Sequence, residues 1–81
     1  MWIRGKGDYS GQLINTGQVK KIYIYTSTYN SNTSVVLKAC DTRGNDYSLM
    51  KLAEKTDGDA IIGKIGEAIA KGRNYLELGT L

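Results

Sequence analysis

Between Val19 and Lys55 the sequence keeps a period of two, and from Ala60 to Lys71 it changes to a period near 3.6. Few folds accommodate that change within one short chain. In Val19–Thr28, Ile22, Ile24 and Thr26 alternate with Lys21, Tyr23, Tyr25 and Ser27. Such alternation of β-branched and aromatic residues marks a strand with two unlike faces. Tyr29-Asn30-Ser31-Asn32 is built of turn-forming residues. In Thr33–Asp41, Val35, Leu37 and Ala39 lie opposite Val36, Lys38 and Cys40. Thr42-Arg43-Gly44-Asn45 reads as a second hairpin turn. Asp46–Lys55 then reads as a strand, with Met50 and Leu52 opposite Tyr47, Leu49 and Ala53. Three strands joined by short polar turns predict an antiparallel meander.

Two shorter strands are predicted ahead of it. Met1–Arg4 places Trp2 and Arg4 on one face and Ile3 on the other. Gln12–Asn15 follows the glycine-rich segment Gly5–Gly11 and ends at Asn15-Thr16-Gly17. Gly5-Lys6-Gly7-Asp8-Tyr9-Ser10-Gly11 has the glycine content of a phosphate-binding loop. It lacks the Gly-Lys-Ser/Thr order, and it leads into a strand instead of a helix. A plain turn is the expectation.

Beyond the meander, Ile61, Ile62, Ile65, Ala68 and Ile69 form one apolar stripe at helical spacing, with Lys64, Glu67 and Lys71 on the other side. Thr56-Asp57-Gly58-Asp59 matches a capping box, and Gly72 suits the residue after the last turn. The helix is therefore predicted from about Asp57 to Lys71. The segment Asn74–Leu81 is expected either to dock through Tyr75, Leu76 and Leu78 or to add an edge strand. The resulting fold class is α+β: an antiparallel β-meander of about five strands with one C-terminal helix packed on one face, in a single domain over residues 1–81.

Chemistry is narrowed by what the chain lacks. It has no His and a single Cys, Cys40. An intramolecular disulfide is impossible, a metal site is not expected, and no cofactor is implied. Without the commonest general base and without a Ser-His-Asp set, a non-catalytic protein is expected. Cys40 reads as a small apolar residue, and Asp57 and Asp59 as helix-end residues. A lone Cys fits a reducing compartment, and MWIRGKGDYS carries no apolar signal-peptide core, so a cytoplasmic location is expected. No stretch approaches a membrane span, so no membrane partner is expected. Small domains bury little surface, which leaves homo-oligomerisation as the open source of stability.

Eleven Lys and Arg against eight Asp and Glu give a charge of +3, spread along the chain. That tilt favours anionic partners weakly and argues against a nucleic-acid arm. Phe is absent while Tyr occurs six times, an aromatic suited to half-exposed surfaces. Lys20, Lys21, Tyr23 and Tyr25 form the leading binding candidate: rings on one strand face can stack on a base, with cations nearby to meet phosphates. Lys38 and Arg43 are further candidate phosphate contacts. Trp2 and Arg4 are residue types enriched at binding hot spots. The bland readings are a shielded sheet face for the tyrosines and a core position for Trp2. Gly63 and Gly66 each cost a helix about 1 kcal/mol. With Ala70 they form a small-residue strip that admits a close neighbour, either the sheet beneath or a second helix across an oligomer interface.

The opening Met1-Trp2-Ile3-Arg4, the central hairpins and the ending Ala68-Ile69-Ala70-Lys71-Gly72-Arg73-Asn74-Tyr75 together resemble short phage and prophage proteins of Gram-positive bacteria. Those proteins begin with a Met-Trp/Tyr-Ile-Arg strand and end in a helix after a β-meander. Many have an acidic helix where this chain carries Gly63 and Gly66. The resemblance implies a phage-type accessory protein acting by stoichiometric binding. The expected function is counter-defence: sequestration of a small anionic ligand, such as a signalling nucleotide, by a homo-oligomer. The alternatives are a protein-interaction module that inhibits a host protein, and a weak nucleic-acid binder.

Overall fold

The computed structural model describes residues Met1–Leu81. The alternating segments form β3 (Val19–Tyr29), β4 (Asn32–Asp41) and β5 (Asp46–Leu52), an antiparallel sheet in the order β3-β4-β5. This is the predicted meander. Tyr29 pairs with Asn32, so the β3–β4 loop is two residues long. Asn30 and Ser31 both have positive φ, 49° and 66°, as the tight turn matching strand twist requires.

Ile22 faces Ala39 and Ile24 faces Leu37 in register, and Leu37 in turn faces Met50. These residues line one face of the sheet. The 16-residue helix α1 (Lys55–Ala70) packs on that face with Ile65 and Ala68 buried and Ile61 and Ile62 partly buried. Gly58 makes the closest approach: a Cβ there would lie 2.7 Å from Cδ1 of Ile24 and 2.8 Å from Cδ1 of Leu52.

The strand alternation in β5 is broken by a bulge. Leu37 pairs with Met50 but Lys38 pairs with Ser48, so Leu49 is the extra residue. Leu49 and Met50 are both buried; the expected opposition of these two side chains does not occur. A bulge lets consecutive apolar residues enter one core.

The helix starts two residues earlier than expected. Glu54 is its N-cap, and the Glu54 N–H donates to Oδ2 of Asp57 at 3.1 Å. Thr56 lies inside the first turn, its hydroxyl donating to Glu54 Oε2 at 3.3 Å. At the other end Gly72 has φ +70°. The Arg73 N–H reaches the Ala68 carbonyl at 3.1 Å and the Gly72 N–H that of Ile69 at 3.0 Å, a complete Schellman ending.

The terminal segments build a second sheet, β2-β1-β6, from β1 (Trp2–Arg4), β2 (Leu13–Asn15) and β6 (Tyr75–Glu77). β1 is central, antiparallel to β2 and parallel to β6. The strand count is thus six in two sheets, because Asn74–Leu81 adds a strand. Ile3, Leu76 and Leu78 are buried with Leu37, Ala39, Leu49, Met50, Ile65 and Ala68 in one cluster shared by both sheets and the helix. No helix is long and apolar enough to cross a membrane.

Candidate functional site

With α1 on the Ile22–Ile24 face, the pleat leaves the opposite face of β3-β4-β5 open. Lys21, Tyr23, Tyr25 and Ser27 of β3 lie there beside Ser34, Val36, Lys38 and Cys40 of β4. The Lys21 ammonium lies 4.7 Å from the centre of the Tyr23 ring, and the Lys38 ammonium 4.5 Å from the centre of the Tyr25 ring. Tyr23 and Lys38 are direct cross-strand partners. The four side chains alternate cation and ring in one row. Neither lysine is in an ion pair; the three salt bridges of the chain join Arg4 to Glu77, Lys51 to Asp8 and Lys71 to Glu67.

Asp46 closes one end of this row. The Tyr23 hydroxyl donates to its Oδ1 at 2.7 Å. That hydrogen bond favours the neutral phenol, and partial desolvation and the carboxylate charge act in the same direction, so the Tyr23 pKa is pushed up to about 12. Asp46 was not singled out from the sequence. The signal that could have found it is its register: it pairs with Cys40, which pairs with Lys21, one step from Tyr23. Cys40, between them, is only 7% exposed although it lies on the open face. The Tyr23 side chain reaching over β4 to Asp46 accounts for that cover.

The other predicted residues are dispersed. Lys20 is the bulged residue at the start of β3 and is exposed. Arg43 sits in the β4–β5 turn, its N–H donating to Oδ1 of Asp41 at 2.9 Å. Asp41 organises that turn, also accepting from the Asn45 N–H at 2.9 Å, Asn45 Nδ2 at 3.1 Å and the Tyr47 hydroxyl at 3.1 Å. These donors, the Asn45 amide foremost, hold the Asp41 carboxyl below its ordinary range.

Trp2 and Arg4 belong to the other sheet. Arg4 is engaged, Nε donating to the Ser10 carbonyl at 2.8 Å and Nη1 lying 3.6 Å from Glu77 Oε1. Trp2 is 46% exposed, so it is not a core residue. It shares the outer face of β2-β1-β6 with Leu13, 53% exposed, and Tyr75, 44% exposed. Trp2 also borders a cleft of about 260 Å³ with Leu13, Ile14, Val19, Asp41 and Tyr47. This cleft was not anticipated, because one wall comes from residues 2–19 and the other from Asp41 and Tyr47, which are far apart in the chain.

Gly63, Gly66 and Ala70 are exposed. A Cβ at Gly63 or Gly66 would meet nothing within 4 Å, so neither glycine is needed for the helix to approach the sheet. That role belongs to Gly58. Gly66 borders a shallow apolar groove with Val19, Ile22, Ile62, Ile65 and the half-exposed Ile69. Comparison with protein-family models, with curated proteins and with solved structures finds no match to this chain.

Proposed function

We propose that this chain is a non-catalytic binding protein that captures a small anionic ligand bearing a flat ring, a signalling nucleotide in type, on the open face of β3-β4-β5. The observation that carries the reading is the row Lys21–Tyr23–Lys38–Tyr25, in which two unpaired ammonium groups are held over two aromatic rings. A base stacking on Tyr25 replaces the lysine as the partner of the ring face, and the displaced ammonium meets a phosphate. Tyr23 is held in place by Asp46, so it acts as a fixed platform. Tyr25 is 46% exposed and has no such tether. In the phage-type setting that the two ends of the chain resemble, such capture serves to withdraw a signal from host defence.

Isothermal titration calorimetry with a panel of linear and cyclic nucleotides tests this. Saturable binding to at least one is expected, and Tyr25→Ala is expected to weaken it by about 1–3 kcal/mol. Arg4→Ala, on the other sheet, leaves it unchanged. Absence of binding to the whole panel, or full affinity in Tyr25→Ala, overturns the reading.

A second reading has its own observation. Trp2, Leu13 and Tyr75 form an exposed apolar and aromatic face on the smaller sheet, a composition suited to a protein partner. A host protein captured by the wild-type chain and lost in Trp2→Ala supports it.

A further inference from the structure

The β3 strand runs eleven residues and pairs only with β4. No loop or turn forms a main-chain hydrogen bond with Lys20–Tyr29 on its other side. The opposite edge of the sheet is treated differently. There the Leu49 carbonyl accepts the Lys6 N–H at 2.8 Å, the bulge interrupts the ladder, and Lys51 pairs with Asp8. Bulges, charges and covering loops are the usual means of keeping an edge from pairing with another chain. On β3 they end at Lys21: from Ile22 to Leu37 the sequence has no charged residue, no Gly and no Pro. Moreover β5 ends at Leu52, opposite Val35. Beyond that level Ser27–Ser34 is a fully exposed two-stranded ribbon, an arrangement of marginal stability alone.

We propose that two copies of the chain pair β3 to β3 antiparallel about a two-fold axis at Ile24, forming one six-stranded sheet. A two-fold perpendicular to the sheet keeps faces together, so both helices lie on one side and both open faces on the other. With Ile24 on the axis the regular segment Lys21–Ser27 pairs throughout, and the bulged residue Lys20 lies outside it. In this register Lys21 faces Ser27 of the second copy, so the lysines of the two chains stay apart. Tyr23 faces Tyr25 in this register, and both rings lean inward over β4, toward Asp46 and Lys38, which leaves the backbone edge itself uncovered. On the helix side, the groove bordered by Ile22, Ile62 and Ile69 opens beside this edge, where Thr26 of the second copy faces Ile22. The dimer does not depend on the ligand reading. Its consequence for that reading is that the two Lys–Tyr rows become one continuous surface.

Sedimentation analysis of the ligand-free chain tests the dimer and its register together. The expected mass is twice the 8.9 kDa of the chain. Ser27 is exposed and faces only Ser34 within its own chain, so substitution there leaves the fold intact, as circular dichroism can verify. Ser27→Lys sets a lysine against Lys21 twice per dimer and is expected to weaken association on the order of tenfold. Ser27→Glu sets an opposite charge there, and association is expected to be at least as tight as in the wild type. A wild-type chain that stays monomeric at its highest soluble concentration overturns the proposal. So does a dimer that responds equally, or not at all, to the two substitutions.

Discussion

The Tyr23 hydroxyl and the Asp46 carboxylate meet at 2.7 Å across the full width of the larger sheet, passing over the β4 strand that separates their own. The bond fixes a ring in the candidate site and covers Cys40 with the same side chain. It links the two ends of the meander, so its loss is felt both in the site and in the sheet.

Tyr23 is therefore expected to ionise well above the ordinary range of a phenol. Absorbance titration of the phenolates should show one group near 12, absent in Tyr23→Phe and returned toward the ordinary value of about 10 in Asp46→Asn. The sign for stability follows. The neutral phenol is favoured in the folded state, so its contribution is whole below the ordinary value and is lost as pH rises from there through 12. Urea denaturation of wild type and Asp46→Asn across that range should converge as the pH rises.

The glycines of α1 should respond in opposite directions to alanine. A Cβ at Gly58 meets the side-chain ends of Ile24 and Leu52 at less than 3 Å, and the overpacking outweighs the helix-propensity gain, so Gly58→Ala is expected to cost up to about 2 kcal/mol net. Gly63→Ala and Gly66→Ala meet only open space and should each gain about 0.5–1 kcal/mol from helix propensity. Denaturation midpoints with unchanged slopes check both.

Leu78 lies in the last turn of the chain, a 3-10 segment at Leu78–Thr80, and is fully buried. Leu78→Ala should destabilise the fold by about 2–5 kcal/mol. A dispensable tail would show no loss by thermal or urea denaturation. The same substitution should weaken protection of the Trp2 N–H, which donates to the Asn74 carbonyl at 2.8 Å, in hydrogen exchange.

The sequence alone determined the long elements. Ile22/Ile24 against Tyr23/Tyr25, and the Ile61–Ile69 stripe, repeat often enough for the period to identify strand and helix. The short elements carry less of this signal: Met1–Arg4 and Gln12–Asn15 read as strands, but an edge strand was only one of two expectations for Asn74–Leu81. Three residues such as Tyr75-Leu76-Glu77 carry barely one period, and β6 exists because β1 offers it a free edge once the helix has carried the chain back. Of the site, the sequence showed Lys21, Tyr23 and Tyr25 on one face, and the tertiary structure made that face the open one. Period two sorts side chains onto two faces but does not say which is covered. That was decided by where α1 can approach, and Gly58, the one helix glycine lying against Ile24 and Leu52, sets the place. Lys38 and Asp46 joined the row through the β3–β4–β5 register, a long-range pairing that no local pattern encodes.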